Sequence, residues 1–202
     1  MLAGSPIAEI ISSSPHEWHA LCVKVDQAPH FGSLIIIQET WATYIGIVHH
    51  ITTQSIDSVH TPLALGKSPD ELARDYPQMP LFLQTKISCL AIGYIKNHIM
   101  RLQWPAKPPS IHAHITLAPS AIYQQIMCDN QYLSLLFKHT TVTPYLDELI
   151  LALLTHLDNQ NLLTESLLET LVDQFSLLTG NDYRRLKLLL QRIERLFAHR
   201  LA

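Results

Sequence analysis

Hydrophobic and polar positions follow two different periods along the chain, and the change falls near residue 118. Before it, short runs rich in Val, Ile and Thr are separated by Pro, Gly and polar residues, which is typical of β-strands. The predicted strands are Ile7–Ser12, Trp18–Val25, Ser33–Ile37, Tyr44–Thr53, Ile87–Ile95, His98–Gln103 and Ile111–Thr116. Short strands in succession, one of them long enough to bend, favour a small closed or partly open β-barrel of six to seven strands.

One short helix is predicted to interrupt these strands. Ser68 and Glu71 have the spacing of a capping box, and Pro69 stands at the first helical position. The helix must end before Pro77, because the residue that precedes a proline avoids helical backbone angles. A second short helix or turn is expected around Pro80, ahead of the next strand.

After residue 118 the apolar residues recur at intervals of three and four, which is typical of amphipathic helices. Three such stripes occupy residues 146–157, 167–175 and 186–197. Ser120–Phe137 is a weaker candidate. Thr164 is the expected N-cap of the second stripe, Gly180 its end, and Asn181 a cap for the third. The pattern therefore predicts an α+β chain, with a β domain over residues 1–118 and a domain of three to four helices over residues 119–202.

Composition narrows the class of protein. The 202 residues are 48% hydrophobic and 15% charged, so the chain can bury a core and is not disordered. A net charge of -3 argues against bulk polyanion binding. Neither a membrane span nor a signal peptide is expected. Three cysteines without a CxxC pair (Cys22, Cys89 and Cys128) favour reduced, packed thiols in a cytoplasm.

The segment Gly66-Lys67-Ser68 resembles the end of a phosphate-binding loop. Such a loop needs an earlier glycine where this chain has Thr61, and Pro69 removes an amide that would hold phosphate. Ser68 has a better use as the helix cap. We therefore expect a structural role for Gly66 and Ser68 and no nucleotide at this segment.

Histidines offer the other candidate chemistry. His112 and His114, two apart on a predicted strand, would share one face, and His60 and Asp57 could complete a metal site if the fold brings them together. Two such histidines are more often plain surface residues. The nucleophile elbow GxSxG is absent from the sequence. We expect no catalytic residue, no cofactor and no metal, and His112 and His114 are the candidate ligands if a metal binds.

The end of the chain is basic, whereas residues 120–182 carry eight acidic residues and one lysine. Basic side chains that could contact a partner or nucleic acid are Arg184, Arg185, Lys187, Arg192 and Arg195. A helix–turn–helix would use them on DNA, and a small barrel can bind single strands. Pairing with the acidic helices is the simpler interpretation, and it is favoured here.

Four segments, in this order along the chain, resemble a known family: Tyr44–Asp57, Leu65–Leu72, Tyr76–Thr85 and Cys89–Tyr94. They contain a Gly-x-Val strand, a Ser-Ile-Asp turn, a Gly-x-Ser-x-x-Glu-Leu helix start, a Tyr-Pro-Gln break and a closing Gly-Tyr. The set resembles the HAS-barrel, the N-terminal β-barrel of HerA-type hexameric DNA-translocating ATPases that is shared in form with ATP synthase subunits. It is similar to stand-alone, cyanobacterial-like versions with a helical tail.

The resemblance implies an architecture and an assembly role, and it transfers no catalytic residue. The motor domain that normally follows the barrel is not expected after residue 118. The chain is then a non-enzymatic adaptor whose partner is a HerA-type ATPase or a nuclease, and a homo-oligomer is compatible with that role. Within the barrel, Gly46 and Gly93 would allow bends or close backbone approach, and Asp57 would fold back onto a turn.

Overall fold

A computed structural model describes residues 5–57, 64–129, 131–139, 143–180 and 182–198. The fold is α+β, as predicted. Its strands are β1 (Ala8–Ser13), β2 (Glu17–Cys22), β3 (Leu34–Gln38), β4 (Thr43–Ser55), β5 (Leu83–Lys96), β6 (Ile99–Arg101) and β7 (His114–Leu117). Each corresponds to a predicted strand. The main differences are that β2 ends at Cys22 instead of Val25, that β5 begins four residues earlier than expected, and that β7 begins at His114 instead of Ile111.

Six strands close into an antiparallel barrel in the order β1-β2-β5-β4-β3-β7. Closure depends on β2, which pairs with β1 on one side and with β5 on the other. β6 lies outside the ring and, within the described residues, pairs with β5 alone. The two strands are joined at Asn97 and His98, whose φ angles of 52° and 63° are those of a tight two-residue hairpin.

Alternation along the strands separates the barrel interior from its outer face. In β3, Ile35 and Ile37 point inward, whereas Leu34 and Ile36 belong to the core outside the barrel. The interior is filled by buried side chains from six strands and the turn before β4: Ala8, Ile10, Trp18, Ala20, Ile35, Ile37, Ala42, Tyr44, Val48, Ile87, Cys89, Ala91, Tyr94 and Ile115.

The short inserted helix forms as predicted. It is α1 (Pro69–Asp75), and the Ser68 hydroxyl accepts from the Glu71 amide while the Glu71 carboxylate accepts from the Ser68 amide. It ends before Pro77, and a 3₁₀ helix over Met79–Phe82 supplies the second short element. The complete capping box explains why a helix of only seven residues has definite ends.

Five α-helices follow residue 118 in the described ranges, because the candidate Ser120–Phe137 is two helices rather than one. They are α2 (Ser120–Met127), α3 (Gln131–Lys138), α4 (Leu146–Asn159), α5 (Glu165–Thr179) and α6 (Tyr183–Phe197). Thr164 caps α5 and Gly180 follows it, as expected. The expected cap Asn181 lies outside the described residues, and Asp182 accepts from the Arg185 amide at the start of α6.

The helices pack against the outer face of the barrel and share one hydrophobic core with it. The outward side chains of the strands in this core are Leu34, Ile36, Ile45, Ile47, Leu90 and Ile92. On α2, the Tyr123 hydroxyl accepts from the Leu34 amide at 2.9 Å. None of the helices in the described part of the chain has both the length and the hydropathy that crossing a membrane requires.

Two glycines in the long β4–β5 pair stand where a side chain would meet a neighbouring atom. A β-carbon on Gly93 would lie 2.7 Å from the Arg101 carbonyl oxygen, and one on Gly46 would lie 2.7 Å from the Trp18 ring. The pairing register shifts between Ile45 and Gly46 and again between Val48 and His50. Bulges of this kind bend the two strands beside the glycines.

Candidate functional site

The structure does not form the predicted strand through both His112 and His114. β7 begins at His114, while His112 precedes it with a φ of 66°, so the two residues do not share one strand face. The nearest partner of His112 Nδ1 is the Glu9 carboxylate, which forms a short contact. His60 lies outside the described residues. At Asp57 the amide donates to the Ser55 hydroxyl at 3.2 Å, which closes the turn.

The Gly66-Lys67-Ser68 segment is occupied by structural contacts. Gly66 adopts a φ of 63°, and Ser68 is engaged in the capping box. The Lys67 ammonium lies 2.8 Å from the Asp75 carboxylate and over the Tyr76 ring. These contacts support the prediction that the segment starts a helix.

The basic last helix, α6, forms ion pairs with acidic residues of α4. The Arg185 guanidinium donates to the Asp147 carboxylate at 2.6 and 3.0 Å, and Arg192 donates to Glu148 at 2.8 Å. Both acids stand in the first turn of α4. The other three basic side chains of the predicted set are exposed: Arg184, Lys187 and Arg195. Intramolecular pairing therefore accounts for two of the five.

The cysteines differ in exposure. Cys89 is buried inside the barrel, Cys22 is half-buried, and Cys128 is exposed after α2. Burial raises the pKa of Cys22 to about 11 and raises that of Cys89 further, so both are protonated at neutral pH. The packed role predicted for cysteines fits Cys89 and Cys22, whereas the exposure of Cys128 differs from the expectation.

A cluster of exposed apolar side chains lies at one end of the barrel, and we call it the apolar tip. Leu81 and Phe82 of the 3₁₀ helix are 75% and 61% exposed. Val23 follows β2 and Ile56 follows β4, and both are also more than half exposed. The Ile56 amide donates to the Phe82 carbonyl at 2.9 Å, which fixes the 3₁₀ helix beside the end of β4.

The apolar tip surrounds an open depression of about 800 Å³ that Val23, Ile56 and Leu81 line together. A second depression adjoins it, because Pro80 and Leu83 line both. Its remaining walls come from α1 and the residues after it: Pro69, Leu72, Ala73, Tyr76, Pro77 and Met79. α1 has no buried residue, so its apolar side chains face this surface rather than the core.

A second group of polar side chains lies where the barrel meets the helices. His49 Nε2 is 3.0 Å from a Glu17 carboxylate oxygen, and His49 Nδ1 is 3.0 Å from the Tyr145 hydroxyl. The neutral imidazole with its proton on Nε2 satisfies both contacts. The His16 ring stands 5.5 Å from the His139 ring, so four titratable groups and one phenol converge here.

Burial dominates the electrostatics of this group. It lowers the pKa of His49, and the Glu17 carboxylate opposes that shift while His139 and His50 add to it. The pKa of His139 is lowered for the same reason. Burial raises the pKa of Tyr145. The two histidines are therefore neutral at physiological pH.

Sequence reasoning missed this cluster because Glu17, His49 and His139 lie in distant parts of the chain. Glu17 on β2 pairs with Leu90 on β5, which pairs in turn with Ile47 on β4. The register then shifts between Val48 and His50, so His49 is an extra residue in the ladder. Bulges of this kind re-aim a side chain. The adjacent pairs His16–Glu17 and His49–His50 were the local signals in the sequence.

The sequence matches no protein-family model, and no curated protein matches it at a significant level.

Proposed function

We propose that this protein is a non-enzymatic adaptor or assembly module that docks a protein partner through the apolar tip. The observation that carries the proposal is the exposure of Leu81 and Phe82 beside Val23 and Ile56. Exposed apolar patches of this kind mark interaction surfaces. The barrel interior is occupied by its own side chains, which favours a binding role for the outside of the barrel.

The partner we propose is a HerA-type ATPase, or a nuclease that works with one, in the cytoplasm. This class follows from the resemblance to the HAS-barrel. Leu81 and Phe82 lie within Tyr76–Thr85, one of the four segments that carry that resemblance. Ile56 lies in another of these segments, and in that family the barrel as a whole is associated with ring assembly and partner docking.

Direct binding of single-stranded nucleic acid is the alternative, and the basic last helix would supply its charge. Arg185 and Arg192 are engaged with Asp147 and Glu148, which weakens this alternative. Arg184, Lys187 and Arg195 would have to carry it. A phosphate interface made by three exposed side chains predicts an affinity that falls steeply with salt.

Affinity capture from native lysate, with and without nuclease treatment, separates the two functions. We expect a HerA-type ATPase or nuclease in both samples with the natural protein and its loss with Leu81→Asp. Leu177→Asp is the matched control, because Leu177 on α5 is equally exposed. Partners that vanish on nuclease treatment, or that survive Leu81→Asp, would contradict docking through the apolar tip.

A further inference from the structure

Two histidines and one carboxylate come together at the junction of barrel and helices. His16, Glu17 and His139 each offer one ligand atom, and these atoms lie within 4.8 Å of one another. It is the one such trio in the described ranges. We propose that His16, Glu17 and His139 bind a divalent transition metal ion, with Zn²⁺ as the ion that suits them. This inference is independent of the adaptor proposal.

The donor set fits zinc chemistry. Imidazole nitrogen and carboxylate oxygen bind Zn²⁺ at about 2.0–2.2 Å in tetrahedral sites. Two such donors on one ion lie roughly 3.4 Å apart, so small side-chain rotations close the site. His16 is exposed, which lets it make that movement. Three protein ligands leave a fourth position for water or for a partner's side chain.

Neighbouring groups orient the ligands as they do around known metal sites. His49 holds one Glu17 oxygen at 3.0 Å, and the other oxygen of the carboxylate is then the metal ligand. The Ser14 hydroxyl lies 3.4 Å from His16 Nδ1, which directs Nε2 of that ring to the ion. Such outer contacts fix the tautomer and direction of a ligand.

The site would fasten two parts of the fold together. His16 and Glu17 stand at the turn between β1 and β2, which the Ser14 amide and hydroxyl close by donating to the Glu17 carbonyl at 2.9 Å. His139 directly follows α3. His139 is buried there, and its ring lies 5.5 Å from the His16 ring at the turn. An ion bound here stabilises the contact between the barrel and the helices.

Zinc titration of the untagged, full-length protein, after treatment with EDTA, tests the site. We expect one Zn²⁺ per chain in competition with a chromophoric chelator, and a rise in Tm as the ion is added. His16→Ala changes an exposed residue. It should lower the Zn²⁺ affinity at least about 100-fold, because loss of a ligand costs no less than the loss of an outer contact to a ligand. Glu17→Gln and His139→Ala should do the same.

His114→Ala is the control, because His114 is an exposed histidine outside the trio. It should leave the Zn²⁺ affinity and stoichiometry unchanged. Thermal unfolding of every variant in EDTA checks that the fold is intact. Substoichiometric zinc in the natural protein, or full affinity in His16→Ala, would overturn the proposal.

Discussion

Gly46 and Trp18 share one region of the barrel interior: a β-carbon on Gly46 would lie 2.7 Å from Cζ3 of the Trp18 ring. Trp18 is fully buried there and packs edge-on against Tyr44, with ring centroids 6.0 Å apart. The glycine makes room for the indole, and the indole fills the space that the missing side chain leaves. The two residues stand 28 positions apart in the chain and are brought together by barrel closure.

The first prediction concerns this pair. Gly46→Ala should lower the free energy of unfolding by about 1–3 kcal/mol, because the added methyl overpacks the interior. Trp18→Phe removes part of the ring that the methyl would meet. Chemical denaturation of both single variants and the double variant should show a double-variant cost below the sum of the two. Additive costs would show that the two side chains do not compete for the same space.

The second prediction concerns the approach of α4 to the barrel at Gly32. A β-carbon there would lie 2.6 Å from the Ala152 methyl, and the φ of 79° is already unfavourable for other residues. Gly66 has a φ of 63° but no heavy atom within 4 Å of the same position. Gly66→Ala should cost about 1–2 kcal/mol from backbone strain alone, and Gly32→Ala clearly more. An equal loss of Tm in the two variants would mean that α4 can move away from the added methyl at position 32 without a loss of stability.

The third prediction is a pH dependence of stability. The folded-state pKa of His49 is lowered by burial, so the unfolded chain binds the extra proton first as the pH falls. Stability is then complete above the unfolded pKa of about 6.5 and is lost below it, by at most about 1.4 kcal/mol per pH unit for one group. The pKa of His139 is also lowered by burial, so its protonation lowers the free energy of unfolding further as the pH falls.

The adjacent histidines provide the control for this effect. In EDTA, His49→Gln should flatten the fall in unfolding free energy between about pH 7 and 5, measured by urea denaturation. His50→Gln should keep most of the natural slope, because His50 is exposed and adds the smallest part of the shift in the His49 pKa. The same slope in all three proteins would show that His49 does not control the acid response.

The fourth prediction separates structural from exposed arginines on α6. Arg185 binds Asp147 through two nitrogens and lies over the Phe137 and Phe175 rings, 5.8 and 5.7 Å from their centroids. Arg185→Gln should lower the unfolding free energy by about 1–2 kcal/mol, more than a plain surface pair. Arg184→Gln, at the exposed neighbouring position, should change it by less than about 0.5 kcal/mol. A reversed order would contradict the pairing of α6 with α4.

Features set by neighbouring residues were predictable from the sequence, and features set by long-range register were not. The capping box of Ser68 and Glu71 marks the start of α1 within four residues of sequence. The apolar residues of α4 recur at helical spacing, which predicts the face of the helix that is buried. The His49–Glu17 contact instead depends on two strand registers and a bulge. Gly32 gave no signal because the residue it meets, Ala152, lies 120 positions away.

Binding of the purified protein to a purified HerA-type ATPase from the same genome tests the central claim most directly. Isothermal titration should give a saturable complex with the natural protein. Phe82→Asp should weaken that binding at least about 30-fold, the loss expected from removing a docking hot spot. Leu177→Asp should leave the affinity unchanged. No complex with the natural protein, or equal affinity for Phe82→Asp, would contradict the adaptor function proposed for the apolar tip.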